Sequence, residues 1–364
     1  MLKRKQGTGD TLLTLLCLAM GLLLLYGSAP LRQGVAKGLR MTVQSLIPSL
    51  FPFLVLCSFF TGSGAYLSLS KPLGPLARLF RLPACAGGVI LLSLVGGYPA
   101  GAKMIRNLME QGQLSRQQGE AMLCFCFGSG PAFAIGVVGS GVFGSARAGV
   151  LLFAAHTAAS LLTGLIFTRR LPAAPKGREA KPAKPPVSAA FVEAVSGSVA
   201  AMLSIGGFVM LFCGIIALLD SLSFFSLLDG LCGGQASSLL PGLLEVTGGC
   251  LGQQQPGVGG LLLCAFFLSF GGFCVHAQVY GVLGEYAPSY ARFLLSRLVC
   301  GGISTAAVFF SLRFVPLSLP ASLPAGEPVV SLFSVSPLSA LFFFFLVWSF
   351  VCQLEGRFSL RRGR

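Results

Sequence analysis

The most constraining feature of this chain is a succession of long apolar runs. A helix needs about 20 predominantly apolar residues to span the hydrocarbon core of a bilayer. The candidate runs are 11–29, 43–62, 84–106, 120–140, 146–168, 199–219, 239–251, 257–284, 290–312 and 329–351. Only 10% of the residues are charged, against about 25% in soluble domains. The sequence therefore predicts an all-α, polytopic transmembrane helical bundle with about eight full crossings and some broken or re-entrant helices.

The positive charges of the chain lie just outside apolar runs. The formal net charge is +15, which could in principle indicate a nucleic-acid-binding protein. The clusters are Lys3, Arg4 and Lys5, then Arg169, Arg170, Lys176, Arg178, Lys181 and Lys184, and finally Arg357, Arg361, Arg362 and Arg364. Such juxtamembrane positions are typical of the cytoplasmic side. No folded basic domain is left over, so we expect the lipid bilayer and no nucleic acid as a partner.

The basic, Pro-rich stretch 169–190 divides the chain into halves of similar size, and its composition predicts an extended cytoplasmic linker. The predicted organisation is an anchor helix in 1–34, a first transmembrane repeat in 35–168, this linker, a second repeat in 191–312, and a Pro-rich loop, last helix and basic, cytoplasmic tail in 313–364. The N-terminus also resembles a signal peptide. Pro30 follows the Gly27-Ser28-Ala29 stretch directly, which favours an uncleaved first helix.

A short pattern recurs in both halves. Residues 93–103 are SLVGGYPAGAK and residues 269–278 are SFGGFCVHAQ. With the glycine pairs aligned, Gly96-Gly97-Tyr98 matches Gly271-Gly272-Phe273. Paired glycines allow a helix to break, and broken helices in corresponding halves point to the solute site of a transporter. The alternative is that these glycines are packing seams between membrane helices.

Polar residues near these glycines complete a candidate solute site, because an ionisable group inside a membrane is costly and is usually functional. The candidate binding residues are Gly96, Gly97, Tyr98, Lys103, Ser129, Glu245, Gly271, Gly272, Phe273, His276 and Gln278. In this hypothesis Tyr98 and Phe273 flank the solute, Lys103 pairs with Glu245, and His276 exchanges a proton. Ser129 lies in a Gly-Ser-Gly-Pro stretch that predicts a further break.

Each of these groups also has a structural interpretation. Lys103 could extend to the lipid headgroups, His276 and His156 could bond to a neighbouring helix carbonyl, and Glu245 could belong to an interfacial loop. No catalytic constellation appears, the chain has two histidines, and none of its 12 cysteines forms a CxxC pair. We therefore expect no enzyme activity, no cofactor and no bound metal.

Several of these motifs together resemble a known family. They are PSLFPFLVL at 48–56, GGYPAGAK at 96–103, GSGPAFAIG at 128–136, His156 in its helix, LEVTGG at 244–249 and FGGFCVHAQV at 270–279. The pattern is similar to that of the YlbJ-type sporulation integral membrane proteins, which resemble the wider nucleoside-recognition (Gate) domain membrane proteins. The resemblance covers about 35–312 and implies a role in endospore formation, in a bacterial cell membrane, on a transport-like scaffold. It supplies no catalytic residue and no substrate.

These observations lead to two functional expectations. The first is a transporter-like protein that moves or senses a small polar solute, nucleoside-like if the family's domain name applies, at the two Gly-Gly breaks. The second is a non-transporting scaffold that recruits other sporulation membrane proteins through its helices and the basic linker. Removing residues 171–188 should separate them, because a transporter whose halves still meet tolerates the loss, whereas a scaffold fails.

Overall fold

The computed structural model describes residues 8–172, 185–232, 236–253, 257–314 and 317. Its regular elements are all helical, which confirms the all-α prediction. The α-helices are α1 (Thr8–Tyr26), α2 (Ser28–Met41), α3 (Ile47–Gly62), α4 (Tyr66–Ser70), α5 (Gly74–Leu79), α6 (Ala86–Gly96), α7 (Tyr98–Glu110), α8 (Arg116–Leu123), α9 (Ala146–Thr168), α10 (Val187–Ser221), α11 (Phe224–Cys232), α12 (Ala236–Leu244), α13 (Val246–Leu251), α14 (Val258–Phe270), α15 (Gly272–Leu283) and α16 (Tyr290–Ser311). Two π-helical segments, Thr42–Leu46 and Ala132–Val142, and a 3-10 turn at Gly284–Tyr286 complete the described elements.

The described part of the chain contains five helices that are long and apolar enough to cross a membrane: Ser28–Gly62, Ala146–Thr168, Val187–Ser221, Val258–Tyr286 and Tyr290–Ser311. The sequence predicted about eight crossings, which is more than the five such helices among the described residues. Runs 84–106 and 120–140 are divided into shorter pieces, of which Ala86–Gly96 and Ala132–Val142 are apolar but too short to span. Run 239–251 is also divided, as its length suggested. Run 329–351 lies outside the described residues.

The helix Ser28–Gly62 accommodates two interior prolines, Pro48 and Pro52, without ending. Pro48 lacks an N–H, and its ring would collide with the carbonyl oxygen of Gln44, four residues earlier, in a regular α-helix. Gln44 lies inside the π-helical segment Thr42–Leu46, where the wider turn moves this carbonyl away from the proline ring. The change of helix type before Pro48 is therefore local, and the chain continues as α-helix through Pro52 to Gly62. The predicted domain boundary after residue 34 falls within α2.

The two halves present helices in the same order. The first half begins with a 35-residue helix, Ser28–Gly62, continues with the interrupted pair α6–α7, and ends with α9. The second half begins with the 35-residue α10, continues with the interrupted pair α14–α15, and ends with α16. The connecting pieces differ between the halves, and the two-repeat architecture stays a prediction.

Packing between the halves brings the interruptions together. Helix α10 packs along α2 and α3, α9 packs against α16 and α14, and α7 packs against α15. Each of these pairs joins an element of the first half to one of the second. The core that results contains small and aromatic side chains, including Cys57, Phe127 and Phe267.

Candidate functional site

The first chain break lies at Gly97, between α6 and α7. Gly97 has φ +84° and ψ 173°, a backbone conformation that is essentially restricted to glycine. Pro99 follows in the first turn of α7, where its missing N–H costs nothing. The break predicted from the Gly-Gly pair is therefore present, and it leaves backbone groups of α6 and α7 without helical partners at this point.

A second break is formed by residues 124–130, which leave the helical conformation between α8 and Pro131. This is the interruption predicted from the Gly-Ser-Gly-Pro stretch. Its path runs close to the first break, because a Cβ built on Gly130 would lie 2.6 Å from the carbonyl oxygen of Val95. Gly128 is also required by packing, since a Cβ there would lie 2.0 Å from Nε2 of His156.

A third break lies at Glu245, between α12 and α13. Glu245 is extended, with φ −141° and ψ 113°, and its two carboxylate oxygens accept hydrogen bonds from the backbone N–H groups of Thr247 at 2.9 Å and Gly248 at 2.5 Å. The buried carboxylate therefore caps the N-terminus of α13, where the helix dipole favours negative charge. Local capping explains how this carboxylate is tolerated in an apolar segment.

These three breaks meet at one cavity, which we call the central cavity. It has a volume of about 40 Å3, enough for two or three water molecules. Its lining includes six of the predicted site residues: Gly96, Gly97, Tyr98, Ser129, Glu245 and Gln278. Apolar side chains of α3 and α10, such as Leu50, Leu54 and Ile205, form much of the remaining wall.

Hydrogen bonds around the central cavity leave one hydroxyl free. The Tyr98 hydroxyl donates to the backbone carbonyl of Leu268 at 2.7 Å, so it ties the first break to α14. The Ser129 hydroxyl lies within reach of the Tyr98 hydroxyl but makes no well-oriented hydrogen bond among the described residues, although Ser129 is only 1% exposed. A buried hydroxyl without a partner is costly, and here it faces a cavity in which a polar group could bind.

The fourth break, at Gly271 between α14 and α15, is filled by aromatic side chains. Gly271 has φ +92°, and a Cβ there would lie 2.5 Å from the Phe127 ring. Of the predicted residues in this motif, Gly271, Gly272, Phe273 and His276 do not line the central cavity. Phe273 is 37% exposed because it lies on the opposite face of α15 from Val275, which does line the cavity. Phe273 therefore does not flank this cavity opposite Tyr98.

His276 is held within the aromatic cluster. Its Nε2 lies 2.9 Å from the Phe270 carbonyl oxygen and its Nδ1 lies 3.3 Å from the Tyr290 hydroxyl. The rings of Phe127, Phe270 and Phe293 surround it, with centroid distances of 4.8 to 5.8 Å. These contacts match the structural interpretation, in which the histidine bonds to a nearby helix carbonyl.

Lys103 lies outside the central cavity and does not pair with Glu245. It lines a second cavity between α3, α7 and α10, together with Asn107 and Glu193. Among the described residues, the only ion pairs are Arg106–Glu110 and Arg116–Glu120. The predicted Lys103–Glu245 pair is therefore absent, because Lys103 is six residues beyond Gly97, about 9 Å farther along α7.

Arg297 is a functional candidate that the sequence analysis missed. This α16 residue is 0% exposed, and its guanidinium donates to the backbone carbonyls of Cys124 and Phe127. It also lies 4.8 Å from the centroid of the Phe127 ring. Arg297 thus holds residues 124–130 in their non-helical path. The available signal was an arginine well inside the apolar run 290–312, because such a residue normally faces the interior.

His156 supports the same region from α9. Its Nδ1 lies 2.9 Å from the Ser269 hydroxyl, and its Nε2, packed against Gly128, has no hydrogen-bond partner among the described residues. As for metals, the described residues contain no group of three or more His, Cys, Asp or Glu side chains that could hold an ion.

Comparison with known proteins gives one informative match. The chain is 32% identical over 314 residues to the sporulation integral membrane protein YlbJ of Bacillus subtilis (strain 168), which covers 77% of this chain and 76% of the relative. The relative's name describes a sporulation membrane protein and mentions no enzymatic activity. No family model matches the chain, and no solved structure matches it.

Proposed function

The chain belongs to the family of YlbJ-type sporulation integral membrane proteins, and from this premise we propose that it moves or senses a small polar solute at the central cavity during endospore formation. Membrane location and membership of a sporulation family are the established part. Solute handling is the proposed part.

The observation that carries the proposal is the meeting of three chain breaks at one buried cavity. Gly97, Ser129 and Glu245 come from distant parts of the sequence, yet all three line the central cavity. Non-helical backbone at membrane depth is tolerated where it is buried in protein or lines a cavity, and discontinuous helices form the solute sites of transporters.

The size of the cavity limits what it holds in this conformation. A volume of about 40 Å3 suits a few waters or a small polar group. A larger solute, such as a nucleoside, would bind only after the surrounding helices separate. The proposal therefore includes a second, more open conformation, as alternating access in a transporter requires.

The test is thermal unfolding of the detergent-purified protein with a panel of nucleosides, nucleobases, amino acids and cell-wall precursors. A solute present at about 100 times its dissociation constant stabilises the folded state by about 2.7 kcal/mol. We expect one class of solute to raise the unfolding temperature of the wild type. Ser129→Ala should remove this shift while leaving the solute-free stability nearly unchanged, because its hydroxyl makes no well-oriented hydrogen bond with the described residues.

Ser304→Ala is the matched control. Ser304 is also buried, its hydroxyl also has no partner in the described part of the chain, and it does not line the central cavity. This variant should keep the full solute-induced shift. If no solute in the panel shifts the unfolding of a cooperatively melting protein, or if both alanine variants lose the shift equally, the proposal is wrong.

The scaffold hypothesis is tested with the linker. The structure shows which linker residues can be removed without disturbing neighbouring contacts. The Leu171 carbonyl accepts a hydrogen bond from Arg81 at 2.9 Å, and α10 begins at Val187. Deleting residues 174–183 avoids both. We expect the shortened protein to retain solute-induced stabilisation and to support sporulation. Loss of sporulation by a protein that still binds the solute would favour the scaffold.

A further inference from the structure

The lining of the central cavity contains side-chain oxygen atoms that hydrogen bonds leave available. The Ser129 hydroxyl makes no well-oriented hydrogen bond among the described residues, although Ser129 is 1% exposed. The Gln278 carboxamide donates from Nε2 to Sγ of Cys274 at 3.3 Å, and its oxygen accepts no hydrogen bond from a described residue. Gln278 is 5% exposed, and both residues line the cavity. Two buried oxygen donors therefore face one small space.

Glu245 adds a buried negative charge to the same lining. It is 1% exposed and takes no part in the ion pairs found among the described residues. Its bonds to the N–H groups of Thr247 and Gly248 use two of about four acceptor positions on the carboxylate. These bonds lower the cost of the charge without cancelling it, because the N-terminus of a helix carries only a partial positive charge. A buried charge without a counter-ion is costly, so the cavity favours a cation.

The C-terminal end of α6 supplies further oxygen atoms. The helix ends at Gly96, and Gly97 turns the chain away from the helical path. The last four carbonyls of a helix have no partner within it, and its dipole places partial negative charge there. The Val95 carbonyl oxygen lies beside the second break, 2.6 Å from a Cβ built on Gly130. Both Gly96 and Gly130 line the cavity, so this helix end also favours a cation at the cavity.

Positively charged side chains of the described residues stay outside the lining. Lys37 of α2 is close enough to Glu245 to act on its charge, but it is exposed and forms no ion pair with a described residue. Arg297 is buried, and its guanidinium donates to the carbonyls of Cys124 and Phe127. Neither cation lines the central cavity. The position of a counter-ion to Glu245 within the cavity is thus left for a ligand.

The charge and size of the cavity select the kind of cation. One carboxylate balances a single positive charge, whereas a divalent ion would leave net charge buried, which is costly. A volume of about 40 Å3 fits a largely dehydrated ion with one or two waters. A smaller ion comes closer to the carboxylate and gains more Coulomb energy, which favours Na+ over K+. Such a site needs one carboxylate and neutral oxygens, without the acidic or thiol cluster that the described residues lack.

We propose that the central cavity binds one Na+ ion. Its ligands are the Glu245 carboxylate, the Ser129 hydroxyl, the Gln278 carboxamide oxygen and carbonyl oxygens at the C-terminal end of α6. These groups belong to all three breaks that meet at the cavity, so the ion stabilises the arrangement in which the breaks come together. The role of Na+ as the coupling ion rests on the proposed function and adds to it, whereas Na+ binding itself does not depend on it.

Binding is tested first on the detergent-purified full chain without organic solute. Na+ replaces choline at constant ionic strength while thermal unfolding is followed. We expect a saturable rise of about 3 °C or more in the unfolding temperature, a smaller rise with K+, and about one radioactive Na+ bound per chain. A rise that is equal for Na+ and K+ or does not saturate would be a general salt effect, and the site would be wrong.

The ligands are tested by substitution. Glu245→Gln should abolish Na+-induced stabilisation, because it removes the charge. Ser129→Ala should weaken Na+ binding about tenfold, and it keeps the test valid if Glu245→Gln fails to fold. The matched controls are Ser304→Ala, at a buried hydroxyl outside the central cavity, and Glu193→Gln, at a carboxylate of the second cavity. Unchanged Na+ binding in Ser129→Ala, or equal weakening in Ser304→Ala, would overturn the assignment of the ligands.

Two outcomes separate this inference from the proposed function. If a proton neutralises Glu245 instead of Na+, exchange of choline for Na+ leaves the unfolding temperature unchanged, and the sodium site is wrong. Repeating the solute panel in Na+ and in choline tests the coupling, since a coupled ion raises the affinity for the solute. An equal solute-induced shift in both salts would overturn Na+ as the coupling ion while the proposed function stands. Na+ binding without any solute-induced shift would support the sodium site and contradict the proposed function.

Discussion

The two glycine breaks share a sequence pattern but have different surroundings. At Gly97, a Cβ would find its nearest neighbours at 3.8 and 3.9 Å, in Leu50 and Gly130. At Gly271, a Cβ would lie 2.5 and 2.7 Å from atoms of the Phe127 ring. Both glycines have positive φ, +84° and +92°. The first break therefore opens on the central cavity, and the second is filled by an aromatic ring.

This comparison separates two requirements for glycine. The positive φ is a local requirement that applies at both breaks. Packing excludes a side chain only at Gly271, where a Cβ would collide with the Phe127 ring. Arg297 helps to hold Phe127 there by donating a hydrogen bond to the Phe127 carbonyl. The same sequence motif therefore borders an open cavity at Gly97 and is closed by an aromatic ring at Gly271.

The largest effect is expected for Gly271→Ala. The substitution adds a methyl group in a positive-φ conformation and pushes it into the Phe127 ring, so the free energy of unfolding should fall by about 2–5 kcal/mol. Unfolding of the purified protein in detergent measures this change. Gly207→Ala is the control, since nothing lies within 4 Å of a Cβ there, and it should be neutral or slightly stabilising. A smaller loss in the free energy of unfolding for Gly271→Ala than for Gly97→Ala would contradict this comparison of the two breaks.

Arg297→Met tests what keeps Phe127 against the second break. The buried carbonyls of Cys124 and Phe127 lose their hydrogen-bond donor. Removing a buried positive charge offsets part of this loss in the free energy of unfolding. We expect a loss of about 2–4 kcal/mol in the free energy of unfolding. Arg292→Met, on the same helix, removes a single long contact of 3.3 Å to the Phe167 carbonyl and should cost less. Equal losses would mean that the carbonyl contacts of Arg297 do not stabilise this region.

Gly97→Ala should have a smaller effect than Gly271→Ala, because its cost is backbone strain without a collision. We expect a loss of about 1–3 kcal/mol in the free energy of unfolding. The difference between the two alanine variants then measures the packing contribution at Gly271. If the order of the two losses is reversed, the first break is the more tightly packed of the two in solution.

Tyr98→Phe should give the smallest change in stability. It removes the hydrogen bond from the tyrosine hydroxyl to the Leu268 carbonyl, so we expect a loss of about 0.5–1.5 kcal/mol in the free energy of unfolding. Tyr280→Phe removes a comparable bond to the Pro288 carbonyl at 3.0 Å in a partly buried place. Only Tyr98→Phe should also weaken solute-induced stabilisation. Equal weakening by both variants would argue against Tyr98 as part of the site.

The breaks were predictable because they depend on local sequence. Glycine pairs and a Gly-Pro step change the allowed backbone within a few residues, so the interruptions at Gly97, 124–130 and Gly271 could be placed without a structure. The break at Glu245 was less clear, because its segment is short and the sequence gives no sign that the carboxylate caps the next helix. The contacts of Arg297 could not be predicted, because its partners lie 170 and 173 residues away in sequence.

The membrane class, the helical architecture, the positions of most chain breaks and the family of this protein could all be predicted from its amino-acid sequence. Each of these depends on composition, on residues close together in the chain or on recognisable motifs. The packing of the helices was needed to show that the break at Gly97 opens on a cavity, that Lys103 lies apart from Glu245, and that Phe273 faces away from the cavity. Those outcomes depend on which faces of packed helices meet, and packing between distant segments fixes them.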